Sequence, residues 1–304
     1  MSSKILTLGS AGFIGRALCD KLDEHGIPYK GIACSSEWLR LDQSAAWLER
    51  ELVGVDTVYI AAGRTGGVGR MARDPLSFVL PNVRIQMNVM EACIKAGVRR
   101  VISGQSITGY PDTMLPVEED EYQSGTLHPA YFVPGNTWRF VGRFAEMVSR
   151  ASHLEVVFLR PSNVYGPRND FDPQTSHVIE ATVRKVYERQ DPFIVWGNGE
   201  EKRDPTYIDD LAEALVQARD WPAGAYNIGT GQSVSVKDMV GVLLAHANFA
   251  PEVRYDSTKP TAIPTRYLDC NKARGMGWQP KVSIEEGLVR TFDWYAKYCE
   301  NVVV

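Results

Sequence analysis

Short apolar runs alternate with segments of helical periodicity along the first 165 residues of the chain. The apolar runs are nearly continuous, which is typical of parallel strands that are covered on both faces. The predicted strands cover residues 4–8, 29–33, 57–61, 100–103 and 156–160. Phe13–Glu24 and residues 75–96 predict helices, the second with Pro75 in its first turn. This alternation predicts an α/β fold with a doubly wound parallel Rossmann sheet.

The pattern loosens after Pro167, where a polar loop precedes the remaining elements. We expect a helix over 177–189, a strand over 193–196, and a helix over 209–219 that returns to the sheet. The predicted sheet domain therefore covers 1–165 and is joined by about 204–229, whereas 166–304 mainly forms a smaller α/β C-terminal lobe.

Charge and composition restrict the classes of function. The net charge is −4, with both signs mixed along the chain, so no basic surface for nucleic acid is expected. Five widely spaced cysteines form neither a metal motif nor a disulfide framework, which favours a reducing cytoplasm. No apolar run approaches the roughly 20 residues that span a bilayer, and the N-terminus does not resemble a signal peptide. We therefore expect a cytoplasmic protein that does not act at a membrane.

A glycine-rich turn follows the first predicted strand and opens the first helix. Residues without a Cβ atom allow backbone N–H groups to approach a pyrophosphate at the positive end of a helix. The alternative is a tight turn without a ligand, but the strand before it and the helix after it favour a dinucleotide site. The predicted cofactor-binding residues of this turn are Gly9, Ser10, Gly12, Phe13, Ile14 and Gly15.

The end of the second predicted strand bears on the choice between NAD and NADP. An acidic residue there would bind the ribose 2′-hydroxyl of NAD, but the chain has Ile32 followed by Ala, Cys, Ser35 and Ser36. The two hydroxyl groups, with Arg16 nearby, suit a 2′-phosphate, so the sequence favours NADP over NAD. Alternatively, Ser35 and Ser36 only cap the next turn.

Several segments resemble the extended short-chain dehydrogenase/reductase family, also called the NAD-dependent epimerase/dehydratase family, and within it the GDP-L-fucose synthase branch. The segments particular to this branch are residues 64–67 (RTGG), 176–179 (SHVI) and 259–260 (KP). Segments shared more widely include 160–167 (RPSNVYGP) and 195–199 (VWGNG). The resemblance implies a Rossmann fold, an NAD(P) cofactor, a nucleotide-sugar substrate and a homodimer that packs two helices from each subunit.

The resemblance also implies which residues contact the ligands. Ala61, Ala62 and Gly63 match the segment that lies along the cofactor in this family. Arginine suits a diphosphate because its planar fork makes paired, charge-assisted hydrogen bonds, and tryptophan offers a flat face to a base or sugar. The matched substrate-binding positions are Asn163, Val178, Arg184, Trp196 and Arg203.

Reduction in this family uses a hydroxyl residue and a Tyr-x3-Lys pair. Ser106 matches the residue that hydrogen-bonds the reacting carbonyl, although it is alternatively an ordinary loop serine. An ungapped match from residues 125–127 to 160–161 puts Pro134 at the tyrosine position and Trp138 at the lysine position. The pair is therefore missing, and Pro134 predicts that the following helix begins near 136 or 137. Tyr131 is a candidate displaced proton donor, or an ordinary aromatic residue of the loop.

Epimerisation in the GDP-L-fucose synthase branch uses a cysteine and a histidine. His177 matches the histidine, with a helix-start histidine as the alternative. Thr108 stands at the cysteine position, and its hydroxyl is a poor general acid or base, although it can relay a hydrogen bond.

Together these features predict an NAD(P)-binding nucleotide-sugar epimerase/reductase-like enzyme with atypical catalytic residues. The expected substrate is a GDP-deoxyhexose or a related keto compound. Two alternatives stay open: a repurposed member acting on a non-sugar metabolite through transient oxidation or a lyase reaction, and a non-catalytic dinucleotide-binding protein. The helices predicted at 75–96 and about 136–149 are the candidates for a homodimer interface.

Overall fold

A parallel sheet of six strands forms the centre of the computed structural model, which describes residues 4–33, 45–64, 74–259 and 263–302. Its strand order is β2-β1-β3-β4-β5-β10, and every pairing is parallel. These strands are β1 Lys4–Leu8, β2 Tyr29–Ile32, β3 Val55–Ile60, β4 Arg100–Gly104, β5 Glu155–Pro161 and β10 Gly224–Ile228. Strand β1 lies between β2 and β3, so the order of the strands reverses there. A ligand-binding crevice is therefore expected at the carboxyl ends of these strands.

Helices cover both faces of this sheet. The helices of the described residues are α1 Phe13–Glu24, α2 Ala45–Glu51, α3 Leu76–Ala96, α4 Phe132–Ala151, α5 Val178–Tyr187, α6 Ile208–Gln217, α7 Val236–His246, α8 Asn271–Gly275 and α9 Ile284–Val302. One face buries apolar side chains of α3 and α4, such as Val89 and Val141. The other face buries Leu18 of α1 and Leu215 of α6. The predicted doubly wound α/β fold is confirmed.

The later part of the chain forms a third apolar cluster beside the sheet. Phe193, Leu243 and Leu288 meet in it, and they come from a short strand, from α7 and from α9. The short strands pair as β6 Val164–Tyr165 with β9 Thr206–Tyr207, β7 Phe193–Trp196 with β12 Val253–Asp256, and β8 Lys202–Arg203 with β11 Val234–Ser235. The expected division at residues 165 and 166 stays a prediction, although α6 and β10 do return to the central sheet.

Helix α4 begins earlier than the sequence pattern indicates. It starts at Phe132 instead of near 136 or 137, with Tyr131 as its N-cap residue. Pro134 is the third residue of the helix, where no intrahelical partner exists for its missing N–H group. The expectation of a late start was therefore wrong, because proline interrupts a helix only beyond the first turn.

None of the helices in the described ranges is long and apolar enough to cross a membrane. The same ranges contain no group of three or more His, Cys, Asp or Glu side chains that is arranged to hold a metal ion.

Asn227 of β10 joins the sheet to two neighbouring loops. Its buried Nδ2 donates to the backbone oxygens of Val117 at 2.8 Å and Asp269 at 2.9 Å, and its Oδ1 accepts from the Tyr110 hydroxyl. The Arg160 Nη1 atom also donates to that hydroxyl, at 3.2 Å. Because every polar atom of the Asn227 side chain has a partner, its hydrogen bonds offset the cost of burying it and fix the two loops.

We expect Asn227→Ala to lower the free energy of unfolding by about 3 kcal/mol, since it removes three buried hydrogen bonds and takes away the acceptor of the Tyr110 hydroxyl proton. Urea denaturation followed by circular dichroism measures this loss. The matched control is Asn301→Ala, because Asn301 is exposed and bonds only within its helix. A loss as small as the control's would contradict the structural role given to Asn227.

Candidate functional site

A cavity of about 440 Å³ lies at the carboxyl ends of the central strands. Its wall combines residues that follow β1, β3, β4 and β5 with the first turns of α4 and α5. Parallel strands end at the same edge of the sheet, so segments far apart in sequence meet there.

The glycine turn after β1 packs directly against the end of β3. Gly9 has a φ of +88°, and a Cβ atom there would lie 2.6 Å from the Ala62 nitrogen. A Cβ atom on Gly15 would overlap the Gly9 carbonyl group. Only glycine permits this approach, which brings the N-terminus of α1 to the cavity edge. Gly12 is the N-cap residue of α1, and no acidic residue occupies the first turn, so this end suits a pyrophosphate.

Most of the predicted cofactor residues border the cavity. Six line it, namely Gly12, Phe13, Ile14, Ala61, Ala62 and Gly63. Gly9, Ser10 and Gly15 form the turn behind them, where the Gly9 and Ser10 N–H groups donate to the Ile32 oxygen at 2.8 and 3.1 Å. Ser35, on which the preference for NADP depends, lies outside the described residues.

Ser106 and Thr108 present two linked hydroxyl groups to the cavity. Ser106 caps the short 3-10 helix Ile107–Gly109 and accepts a hydrogen bond from the Thr108 N–H group at 3.2 Å. The two hydroxyl oxygens lie 2.9 Å apart. This contact allows a proton or a hydrogen bond to pass between the two side chains.

The first two turns of α4 contribute Tyr131, Pro134, Thr137 and Trp138 to the wall. Pro134 and Trp138 therefore face the cavity one helical turn apart, at the positions that the sequence match assigns to the tyrosine and lysine. In the described part of the chain, no lysine belongs to the cavity wall. The arginines of this wall are Arg64, Arg203 and Arg266.

Tyr131 shares the cavity wall with two arginines whose charges act on its phenol. Burial raises the pKa of Tyr131, while the positive charges of Arg203 and Arg266 act in the opposite direction. Burial also lowers the pKa of both arginines. Among the described residues neither arginine forms an ion pair with a carboxylate, and Nη2 of Arg266 is buried without a hydrogen-bond partner. Arg266 is buried, whereas Arg203 is half-buried and its Nη1 donates to the backbone oxygens of Lys202 and Ile263 at 2.7 and 2.9 Å. The absence of a carboxylate partner for either arginine favours an anion in this part of the cavity.

Arg266 was not predicted from the sequence. The backbone brings it beside β8, because the Lys202 N–H group donates to the Pro264 oxygen at 2.7 Å and the Arg266 N–H group donates to the Lys202 oxygen at 3.3 Å. Nη1 of Arg266 donates to the Pro111 oxygen at 3.1 Å. No local motif signals this pairing, which joins segments about 60 residues apart.

The first turn of α5 closes the opposite part of the wall. His177 is the N-cap residue, and burial lowers the pKa of its ring, with the charge of Asp170 acting in the opposite direction. Val178 and Asn163 also line the cavity. Glu180, which the sequence did not single out, lies in the same turn of α5 and in the same wall.

Two predicted substrate residues lie outside this wall. Arg184 pairs with Glu188 at 2.7 Å and donates to the Phe171 oxygen at 3.3 Å. Trp196 is 52% exposed, with the Lys259 ammonium 5.9 Å from its ring centre. Their substrate-binding roles stay predictions, because a ligand would contact them only if it extended beyond the cavity.

Comparison with known proteins places this arrangement in a family. Residues 5–229 match the sequence model of the NAD dependent epimerase/dehydratase family. The chain is 31% identical over 315 aligned positions to "Probable GDP-L-fucose synthase 1" of Oryza sativa subsp. japonica, covering 99% of this chain and 93% of that protein.

Solved structures show the same fold. The UDP-glucose 4-epimerase of Thermotoga maritima with UDP-glucose superposes with a TM-score of 0.85 at 27% identity, over 97% of this chain and 99% of that one. A GDP-L-fucose synthetase of Naegleria fowleri bound to NADP has a TM-score of 0.85 at 21% identity, over 98% and 94% of the two chains. The chain therefore belongs to the NAD-dependent epimerase/dehydratase family of extended short-chain dehydrogenases/reductases.

Proposed function

We propose that the protein is an NADP-dependent epimerase/reductase of a GDP-deoxyhexose or a related keto sugar, with Tyr131 as its proton donor. The observation that carries the proposal is that Tyr131, Arg203 and Arg266 line one cavity with Ser106 and His177, and that the charges of both arginines act on the Tyr131 phenol. The sequence similarity to a probable GDP-L-fucose synthase supports the substrate class.

The diphosphate of the substrate is assigned to the two arginines. A guanidinium group binds phosphate oxygens through paired hydrogen bonds, and burial strengthens these bonds. A diphosphate supplies the negative charge that Arg203 and Arg266 lack among the described residues. The sugar attached to it would then lie close to Tyr131 and Ser106, while Asn163 and Val178 contact its other side.

The reduction uses groups that meet in the cavity. NADPH at the glycine turn would supply a hydride to the carbonyl carbon. Ser106 holds the carbonyl oxygen, and Tyr131 donates the proton that this oxygen gains, after which solvent reprotonates the phenolate. Arg203 and Arg266 favour the phenolate electrostatically. They would thereby replace the lysine of the Tyr-x3-Lys pair in lowering the pKa of the tyrosine.

Epimerisation requires that a base remove the proton from a carbon beside the ketone and that a proton return on the opposite face, which we assign to solvent water. His177 suits the proton removal because desolvation lowers the pKa of its ring, which favours the neutral form that accepts a proton, while the residue as a whole remains exposed. Thr108 is assigned a relay through its contact with Ser106, since a threonine hydroxyl does not ionise near neutral pH. Pro134 and Trp138 supply neither a proton donor nor a charge, so a weak reductase is expected.

A homodimer is also part of the proposal. Helix α3 exposes Leu76 and Leu80, and α4 exposes Phe132, Phe140 and Met147. The two helices pack side by side, and large apolar side chains exposed on such a face are typical of an interface between subunits.

The activity is tested by incubating the protein with GDP-4-keto-6-deoxymannose and NADPH in D₂O. We expect a slow loss of NADPH absorbance and, by mass spectrometry, deuterium beside the ketone. Deuterium uptake without NADPH loss would restrict the activity to epimerisation. The absence of both would contradict the proposal and favour either a non-sugar substrate or a dinucleotide-binding protein without catalysis.

Tyr131→Phe is expected to reduce NADPH oxidation by roughly 100-fold, because it removes the hydroxyl proton and leaves the ring in place. Deuterium uptake should change much less, since His177 performs that step. Tyr298→Phe is the matched control, because Tyr298 is 51% exposed and lies outside the cavity wall. An unaltered reduction rate in the Tyr131 variant would exclude the donor role.

Gly12→Asp is expected to abolish NADPH binding, because the new carboxylate would occupy the N-cap position of α1 and repel the pyrophosphate. Isothermal titration calorimetry with NADPH measures the effect. Gly241→Asp is a suitable control, since a Cβ atom at Gly241 meets no atom within 4 Å. Equal affinity in the Gly12 variant and the control would place the cofactor elsewhere.

A further inference from the structure

Glu180 has a carboxyl group that the proposed chemistry does not use. Only 1% of the residue is exposed, and it lies in the cavity wall at the third residue of α5. Its Oε1 accepts a hydrogen bond from Nδ2 of Asn169 at 2.6 Å. Its Oε2 is buried and has no hydrogen-bond partner in the described ranges. A buried carboxyl group in which one oxygen has no hydrogen-bond partner is unusual, because charged side chains are rarely buried unless they are paired.

The same wall contains other polar atoms without partners. Oδ1 of Asn163 and Oγ of Ser162 are both buried and unbonded among the described residues, and both residues line the cavity with Glu180. A buried polar group without a hydrogen-bond partner destabilises a protein. Their occurrence in the wall of one cavity is explained if a bound molecule supplies the missing partners.

The chemistry of these atoms defines what would bind. A carboxyl oxygen and an amide oxygen are acceptors, and a serine hydroxyl donates or accepts. A phosphate would be repelled here, in contrast to the region of Arg203 and Arg266. The partner is therefore a neutral hydroxyl or amide N–H donor, of the kind that a sugar, a ribose or a nicotinamide amide provides.

Burial raises the pKa of Glu180 to about 7, and the charge of Asp170 acts in the same direction. The backbone N–H group of Glu180 and the Asn169 side chain act in the opposite direction. At neutral pH the carboxyl group can therefore accept a hydrogen bond when ionised, or both donate and accept when protonated. This suits a residue that binds a neutral polar group better than one that forms a fixed ion pair.

We propose that Glu180 is a ligand-binding residue whose free carboxyl oxygen hydrogen-bonds a hydroxyl or amide donor of the molecule in the cavity. A rotation of the side chain is part of the proposal, because Oε2 is shielded from solvent in this structure. The inference rests on the proposed function, since it takes the bound molecule to be the dinucleotide or the nucleotide-sugar.

The test is calorimetric titration of Glu180→Gln with three probes: NADPH, GDP and GDP-mannose. We expect one of the three probes to bind about tenfold more weakly to the variant. The N–H group of the glutamine amide would face a donor of the ligand, so the hydrogen bond to the carboxyl oxygen would be lost. Weaker binding of NADPH alone would assign the contact to the cofactor. Weaker binding of GDP-mannose with unchanged GDP affinity would assign it to the sugar, and equal weakening of both GDP ligands would assign it to the nucleoside.

Thermal unfolding separates binding from structure. The unfolding midpoint of Glu180→Gln should stay close to that of the wild type, and Glu180→Leu provides a second variant if the glutamine variant folds poorly. Glu252→Gln is the control, because Glu252 is exposed and its carboxylate pairs with Arg254 alone among the described residues. Unchanged affinity for all three probes in a folded Glu180 variant would overturn the inference alone. Failure of the wild type to bind any of them would overturn both the inference and the proposed function.

Discussion

The close approach of the backbone at Gly9 to the end of β3 is the constraint on which the site depends. A side chain at Gly9 would meet Ala62, and one at Gly15 would meet the Gly9 carbonyl, so the turn tolerates no Cβ atom at either place. This packing holds the N-terminus of α1 beside residues 61–63. A helix end with free N–H groups and no acidic residue in its first turn thereby faces the cavity, where an anion is favoured.

Charge divides the rest of the cavity into two parts. Arg203, which is half-buried, and Arg266, which is buried, form a positive region in the same wall as Tyr131, and neither has a carboxylate ion-pair partner in the described structure. Asn163 and Glu180 form a region of acceptor oxygens in the wall. A molecule with a diphosphate and a hydroxyl-rich group complements both parts, which is why a nucleotide-sugar accounts for the arrangement better than a small apolar metabolite does.

The sequence was sufficient for features that depend on local pattern. Continuous apolar runs predicted the parallel strands, and the glycine spacing located the turn between β1 and α1. Pro134 misled the prediction of α4, because a proline in the first turn of a helix is indistinguishable in sequence from one that prevents the helix. Arg266 and Glu180 could not be found in this way, since their importance arises from tertiary pairing with β8 and from burial in the cavity wall. Neither effect has a local signature.

A crystal structure of the protein with NADP⁺ and GDP-mannose would test the central claim most directly, namely that a displaced tyrosine beside two arginines performs the proton transfer. The decisive measurement is the distance from the Tyr131 hydroxyl to the oxygen on sugar carbon 4. The account predicts a diphosphate between Arg203 and Arg266 and a distance within about 3.2 Å, directly or through one water. A diphosphate bound elsewhere, or a sugar oxygen beyond the reach of Tyr131, would contradict it.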